Sequence, residues 1–206
     1  TGLRRVPGHS RRRFRMKVYF SDSFELPLPV GHRFPVDKYR QLRERVSDSA
    51  AELEIELVEA PSASQDELAL VHTQEYLSKI QNGSLTALEQ RRIGFPWSPE
   101  MAVRCRHSAG GTLAATRAAL KDGISVHLAG GTHHAFPDTG QGFCVFNDVA
   151  VAARVIMAER LVHRCLVIDC DVHQGNGTAA IFDGDPRVFT FSMHGDRNFP
   201  FRKHDS

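Results

Sequence analysis

Apolar residues along this chain fall into short runs separated by stretches with helical spacing. Residues 17–20 form a β-rich run that ends at Ser21-Asp22 and predict a first strand. A loop containing Pro and Gly follows through Pro35, and residues 36–46 read as a helix. Residues 55–58 predict a second strand, closed by Pro61. Residues 64–80 predict one helix, with Asp66 and Glu67 early, where the dipole favours acids, and Asn82-Gly83 after its end. Residues 91–99 read as a loop, and residues 100–120 as a long helix stopped by Asp122-Gly123. Ala109, Gly110, Gly111, Ala114 and Ala115 would let other backbone approach that helix closely. Beyond it, strand and helix alternate: strands at 125–129, 166–169 and 188–192, helices at 148–159 and 177–182. Alternation of this kind predicts βαβ units and a parallel sheet. The strand runs lack polar alternation, which predicts cover on both faces. No repeat, low-complexity segment or domain boundary is visible after Met16.

The 206 residues fit one α/β domain, and 41% hydrophobic with 24% charged is ordinary for a globular protein. A net charge of +2 gives no reason to expect nucleic-acid binding. No apolar run approaches the length of a membrane span. The four cysteines, Cys105, Cys144, Cys165 and Cys170, form no CxxC and no spaced framework, so reduced thiols in a cytoplasmic compartment are expected. Charge is uneven only at the start, where residues 1–15 hold six arginines and no acid. Pro7-Gly8 interrupts the amphipathic helix of a transit segment, and a basic arm for nucleic acid is the other functional reading. The expectation adopted is a disordered basic extension ahead of a domain that begins at Met16.

The chemistry concentrates in CLVIDCDVHQGNG, residues 165–177, where an apolar strand runs into Asp169, Asp171 and His173. Residues two apart on extended backbone share a face, so two carboxylates and an imidazole lie together. A hard oxygen donor beside an imidazole nitrogen suits part of a zinc site. A second segment, Gly130-Gly131-Thr132-His133-His134, offers two imidazoles after another strand. A third strand leads into Ser192-Met193-His194. Sites in open α/β sheets lie at the carboxyl ends of strands, and all three segments sit there. Together they suggest a metal-activated water with histidines for proton transfer. The segment 138–142 reads as a flexible, exposed loop, Phe143 as a pocket-lining or core residue, and Asp148 as a helix N-cap.

The motifs GGTHHAFPDTGQGFCVFND and IDCDVHQGNG resemble the zinc-dependent histone deacetylase family, and DVHQGNG with GHRFPVDKY looks most like its class IV branch and bacterial relatives. The resemblance runs from residue 16 to about residue 201. It implies a three-layer α/β/α fold of the arginase/deacetylase kind, with a mainly parallel sheet. It implies zinc, or iron(II), since a mixed oxygen and nitrogen ligand set leaves both open. Asp171 and His173 match two of the three protein ligands. His133 and His134 match the tandem histidines, with His134 in the general-base position, and Asp169 matches the carboxylate behind His133. Gly142 and Phe143 match one wall of the acyl-lysine tunnel, and Phe199 or Phe201 the opposite wall. Asp169, Asp171, His173, Ser192 and Met193 match a structural potassium site. Asn176 stands where many members carry a carboxylate behind His134, which should make His134 less basic.

The family's third ligand Asp and its late Gly-Gly-Tyr have no match in this chain; Tyr19, Tyr39 and Tyr76 all lie in its first half. Later strands would be missing as well, so the chain is expected to be the N-terminal part of a longer domain, with an open sheet edge. The implied activity is hydrolysis of an acyl-lysine or related acylated amine. Two alternatives are a binuclear manganese ureohydrolase, which Gln174 and Asn176 argue against, and a catalytically silent module that binds acylated ligands or a protein partner.

Overall fold

The computed structural model describes residues 15–205, so all but Arg15 of the basic extension lies outside the described residues. Five strands and seven helices follow one another among them: β1 (Met16–Phe20), α1 (Lys38–Asp48), β2 (Ile55–Glu59), α2 (Gln65–Ala69), α3 (Gln74–Asn82), α4 (Ala87–Ile93), α5 (Pro99–Asp122), β3 (Ser125–His127), α6 (Asp148–Ala158), β4 (Cys165–Asp169), α7 (Asn176–Phe182) and β5 (Val188–Ser192). The expected α/β architecture with parallel pairing is present.

The strands form two sheets rather than one. The first has the order β2-β1-β3, with Val18 opposite Leu57 on one side and Val126 on the other. The second pairs β4 with β5, and Asp169 lies opposite Ser192. Long α5 packs on β1 and β3 and on short α6, whose Ala150 and Ala153 meet Cys165 and Val167 of β4. α5 starts at a Ser98 cap with Pro99 in its first turn, where the missing N–H costs nothing. Its small residues work as expected: a Cβ on Gly110 would stand 2.1 Å from the Pro61 carbonyl oxygen. The main core gathers Leu68, Tyr76, Leu77, Ile80, Ile93, Met101, Leu113 and Val145 from helices α2 to α5 and the segment before α6.

Two helical expectations need correcting. Residues 64–80 are two helices, because Thr73 caps α3 by accepting the Tyr76 N–H and its own N–H is drawn out to the Pro137 carbonyl. α4 was not expected, and its last residues, Arg91 to Ile93, fall in the segment read as a loop. Its signal was a capping box, Thr86 with Glu89, and Gly94 ends it at φ 88°.

The strands β4 and β5 are not covered on both faces. Cys165 and Val167 pack against Ala150, Ala153 and Phe182 below. On the other face Leu166 is 61% exposed, Ile168 62%, Phe189 65% and Phe191 49%. The register sets Leu166 beside Phe189 and Ile168 beside Phe191, which makes one continuous apolar strip.

Candidate active site

Two loops meet where β3 and β4 end. The loop after β3 carries His133 and His134, both buried, with their rings 4.1 Å apart. The His133 Nδ1–H donates to Asp169 Oδ2 at 2.5 Å. The His134 Nδ1–H donates to Asn176 Oδ1 at 2.7 Å. Both acceptors are oxygens, so in the neutral form each ring carries its proton on Nδ1 and presents Nε2 as the acceptor. Burial, reinforced by His133, pushes the His134 imidazole down to about 4, against the bond to Asn176, which raises it. Burial pushes the Asp169 carboxyl up, but the bonds from His133 and from the Asp171 N–H outweigh it and hold it below its ordinary range. Gly175 makes room for this pair: a Cβ there would stand 2.4 Å from Asp169 Oδ2.

Asp171 and His173 are more open. Asp171 Oδ1 accepts the His173 N–H at 2.7 Å and lies 3.1 Å from His173 Nδ1. His133 Nε2 is 4.0 Å from the same oxygen. One carboxylate oxygen and one imidazole nitrogen therefore face the same small volume, a donor pair that fits one side of a zinc or iron(II) site. Among the described residues no group of three or more His, Cys, Asp or Glu is arranged to hold a metal ion. Ser192 is the register partner of Asp169, and the Met193 N–H donates to the Asp169 carbonyl at 2.9 Å.

The residues expected to form a tunnel lie near these groups in different ways. Phe199 stands edge-on to His134 at 4.9 Å and 6.3 Å from the His173 ring. Gly142 sits between them at φ 57°, where a Cβ would meet His134 Cδ2 at 2.8 Å and Phe199 Cε1 at 3.0 Å. Phe143, at φ 67°, turns toward Phe34 and Phe95, with rings 5.0 and 5.2 Å away, and Arg33 lies over it at 4.9 Å. Phe201 is 86% exposed. The segment 138–142 is less open than expected, since Gly140 is buried between Tyr76 and the Cys144 carbonyl.

Residues 32–206 match the histone deacetylase domain. The chain belongs to the histone deacetylase domain family. It is 42% identical over 189 residues to an uncharacterized protein of Picosynechococcus sp., covering 92% of this chain and 63% of that one. It is 36% identical over 184 residues to a histone deacetylase-like amidohydrolase of Pseudomonas aeruginosa, covering 84% of this chain and 47% of the relative. The chain thus spans about half to two thirds of the length of these curated relatives. The solved HDA15 HD domain shares the fold, with a TM-score of 0.77 at 24% identity over 92% of this chain and 56% of that chain.

Within this family member, sequence reasoning missed the residues beneath the histidine loop. Asp148 is not the N-cap of α6; Asn147 is, accepting the Ala150 N–H. Both side chains are fully buried and bond to the loop instead of solvent. The signal was two adjacent polar residues at a helix start that needs only one. His72 also escaped notice as a lone histidine in an apolar run. Its Nε2 accepts the Asn147 N–H and its Nδ1–H donates to the Phe136 carbonyl.

Proposed function

We propose that this chain carries the proton-transfer half of a metal-dependent amide hydrolase acting on acyl-lysine or a related acylated amine. The observation that carries it is the pair of parallel hydrogen bonds, His133 to Asp169 and His134 to Asn176, with His133 Nε2 4.0 Å from Asp171 Oδ1 and the His134 ring 5.9 Å from that of His173. The family assignment and the amidohydrolase relative support the reaction class. Asp171 and His173 are the residues that would hold zinc or iron(II). When bound, the metal supplies a Lewis acid that polarises the amide carbonyl and lowers the pKa of water from 15.7 to about 7. His134, neutral and with a free Nε2, accepts the proton of the attacking water. The same nitrogen then returns that proton to the leaving amine. Asp169 fixes the His133 tautomer, and Asn176 fixes that of His134 without adding charge. Phe199 and Gly142 flank the His134 ring and would bound the acyl-lysine stem; Phe143 would contribute through the aromatic cluster behind them. The Asp169 to His173 turn with Ser192 and Met193 is proposed as a structural potassium site.

A second reading, an acyl-ligand-binding module without turnover, is favoured because no group of three or more metal donors comes together among the described residues. Hydrolysis of an acetyl-lysine peptide, measured with and without chelator and in Asp171→Ala, separates the two. The enzyme loses turnover under both treatments. A binding module shows no turnover at any metal loading and keeps its peptide affinity under both.

A further inference from the structure

The loop bearing the tandem histidines has no ladder of its own, so its backbone groups must find partners elsewhere. They find them on one dipeptide. Asp148 Oδ2 accepts the Gly131 N–H at 2.9 Å, and Oδ1 accepts the Thr132 N–H at 2.8 Å. The Thr112 hydroxyl adds a bond to Oδ2 at 2.5 Å. The Thr132 hydroxyl lies 2.7 Å from Asp148 Oδ1 and 2.6 Å from the Phe146 carbonyl, and its one proton serves either. From the other side, Asn147 Nδ2 reaches the Ala135 carbonyl at 3.1 Å and the His133 carbonyl at 3.4 Å. The Asn147 N–H also orients His72, whose other nitrogen holds the Phe136 carbonyl at 3.1 Å.

Capping α6 uses only Asn147 Oδ1. The amide nitrogen and the whole Asp148 carboxylate are surplus to the helix, and burying them is costly unless they are bonded. Their bonds go to the backbone on both sides of His133 and His134, and to the Thr178 and Thr112 hydroxyls. We propose that Asn147 and Asp148 are positioning residues that fix the orientation of the two catalytic histidines by gripping the loop's N–H groups before them and its carbonyls at and after them. The link to turnover rests on the deacylase reading above; the link to histidine geometry does not.

Asn147→Ser tests this directly, because serine keeps a capping oxygen and removes the gripping amide. In the full chain the His133 ring Nδ1–H, held by Asp169, is followed by ¹⁵N-edited NMR for its exchange with water. Turnover of an acetyl-lysine peptide is measured on the metal-loaded protein. The expected result is a folded variant whose ring N–H exchanges at least about tenfold faster, with kcat lower by about 10–100-fold and KM little changed, the scale of a small misplacement of a catalytic group. A folded variant with unchanged exchange overturns the proposal. If Asn147→Ser does not fold, Asp148→Asn is judged by the same exchange measurement, and failure of both to fold overturns the proposal in favour of a general structural role. If the wild type turns over no peptide, the deacylase reading fails, and the exchange rates still decide this one.

Discussion

Behind His134 stands an amide, and behind His133 a carboxylate, so two adjacent imidazoles are held by groups of different charge. Burial already pushes His134 down to about 4, and Asn176 offsets this only through a neutral hydrogen bond. A carboxylate in that place favours the protonated ring by about one unit or more. In Asn176→Asp, the acidic limb of kcat/KM is therefore expected to move to higher pH; superimposable profiles would reject the role given to His134. His72 gives a stability prediction of the same origin. Burial pushes its imidazole from 6.5 down to about 4. Between those values the unfolded chain binds a proton that the folded chain refuses, so stability falls as pH drops from 6.5 toward 4. In His72→Gln the loss of unfolding free energy between pH 7 and pH 5 should shrink by about 2 kcal/mol. Urea denaturation at the two pH values measures it, and an equal loss in both proteins counts against a neutral, buried His72.

The short helix α7 meets the histidine loop through bare backbone. The Thr178 N–H donates to the His133 carbonyl, and a Cβ on Gly177 would stand 2.3 Å from the Ala135 carbonyl oxygen and 2.7 Å from the His134 carbonyl carbon. Alanine gains up to about 1 kcal/mol over glycine inside a helix. Here the clash falls on backbone that cannot swing aside, and overpacking of this kind costs about 1–3 kcal/mol. Gly177→Ala is therefore expected to lower the urea midpoint and kcat together; a midpoint at or above wild type would show that the loop has slack. At this scale the sequence was readable wherever apolar runs met clear breakers. The strand at 188–192 was placed to the residue, and Gly83 and Gly123 end their helices as expected. The break between α2 and α3 was hidden because Thr73 looks like any polar helix residue until Pro137 arrives from elsewhere in the chain to take its N–H. Asp169 and Asp171 stood out by their two-residue spacing at a strand end, His133 and His134 only beside them, and the fold brings these segments together. Asn147 and His72 did not, since their partners are backbone groups of a distant loop and leave no pattern in the sequence.

Across the whole molecule, the two sheets differ in how they are finished. The β4–β5 pair keeps Leu166, Ile168, Phe189 and Phe191 on an open face, an apolar strip of the kind that associates with other surfaces. The isolated 206-residue chain should bind the dye ANS and self-associate in sedimentation velocity runs. Leu166→Lys with Phe189→Lys should reduce both with little change in the urea midpoint, because both side chains are largely exposed. Dye binding unaffected by the double substitution would mean that this face is covered in solution. The β2-β1-β3 sheet raises a matter of timing. Its middle strand is the first to be made, yet Lys17 must wait for Ser125, 108 residues later, to close its second side. During synthesis on the ribosome, a strand destined for the centre of a sheet is thus held half-paired from the completion of β2 until β3 emerges, which makes that interval the one in which chaperones have most to gain from binding it.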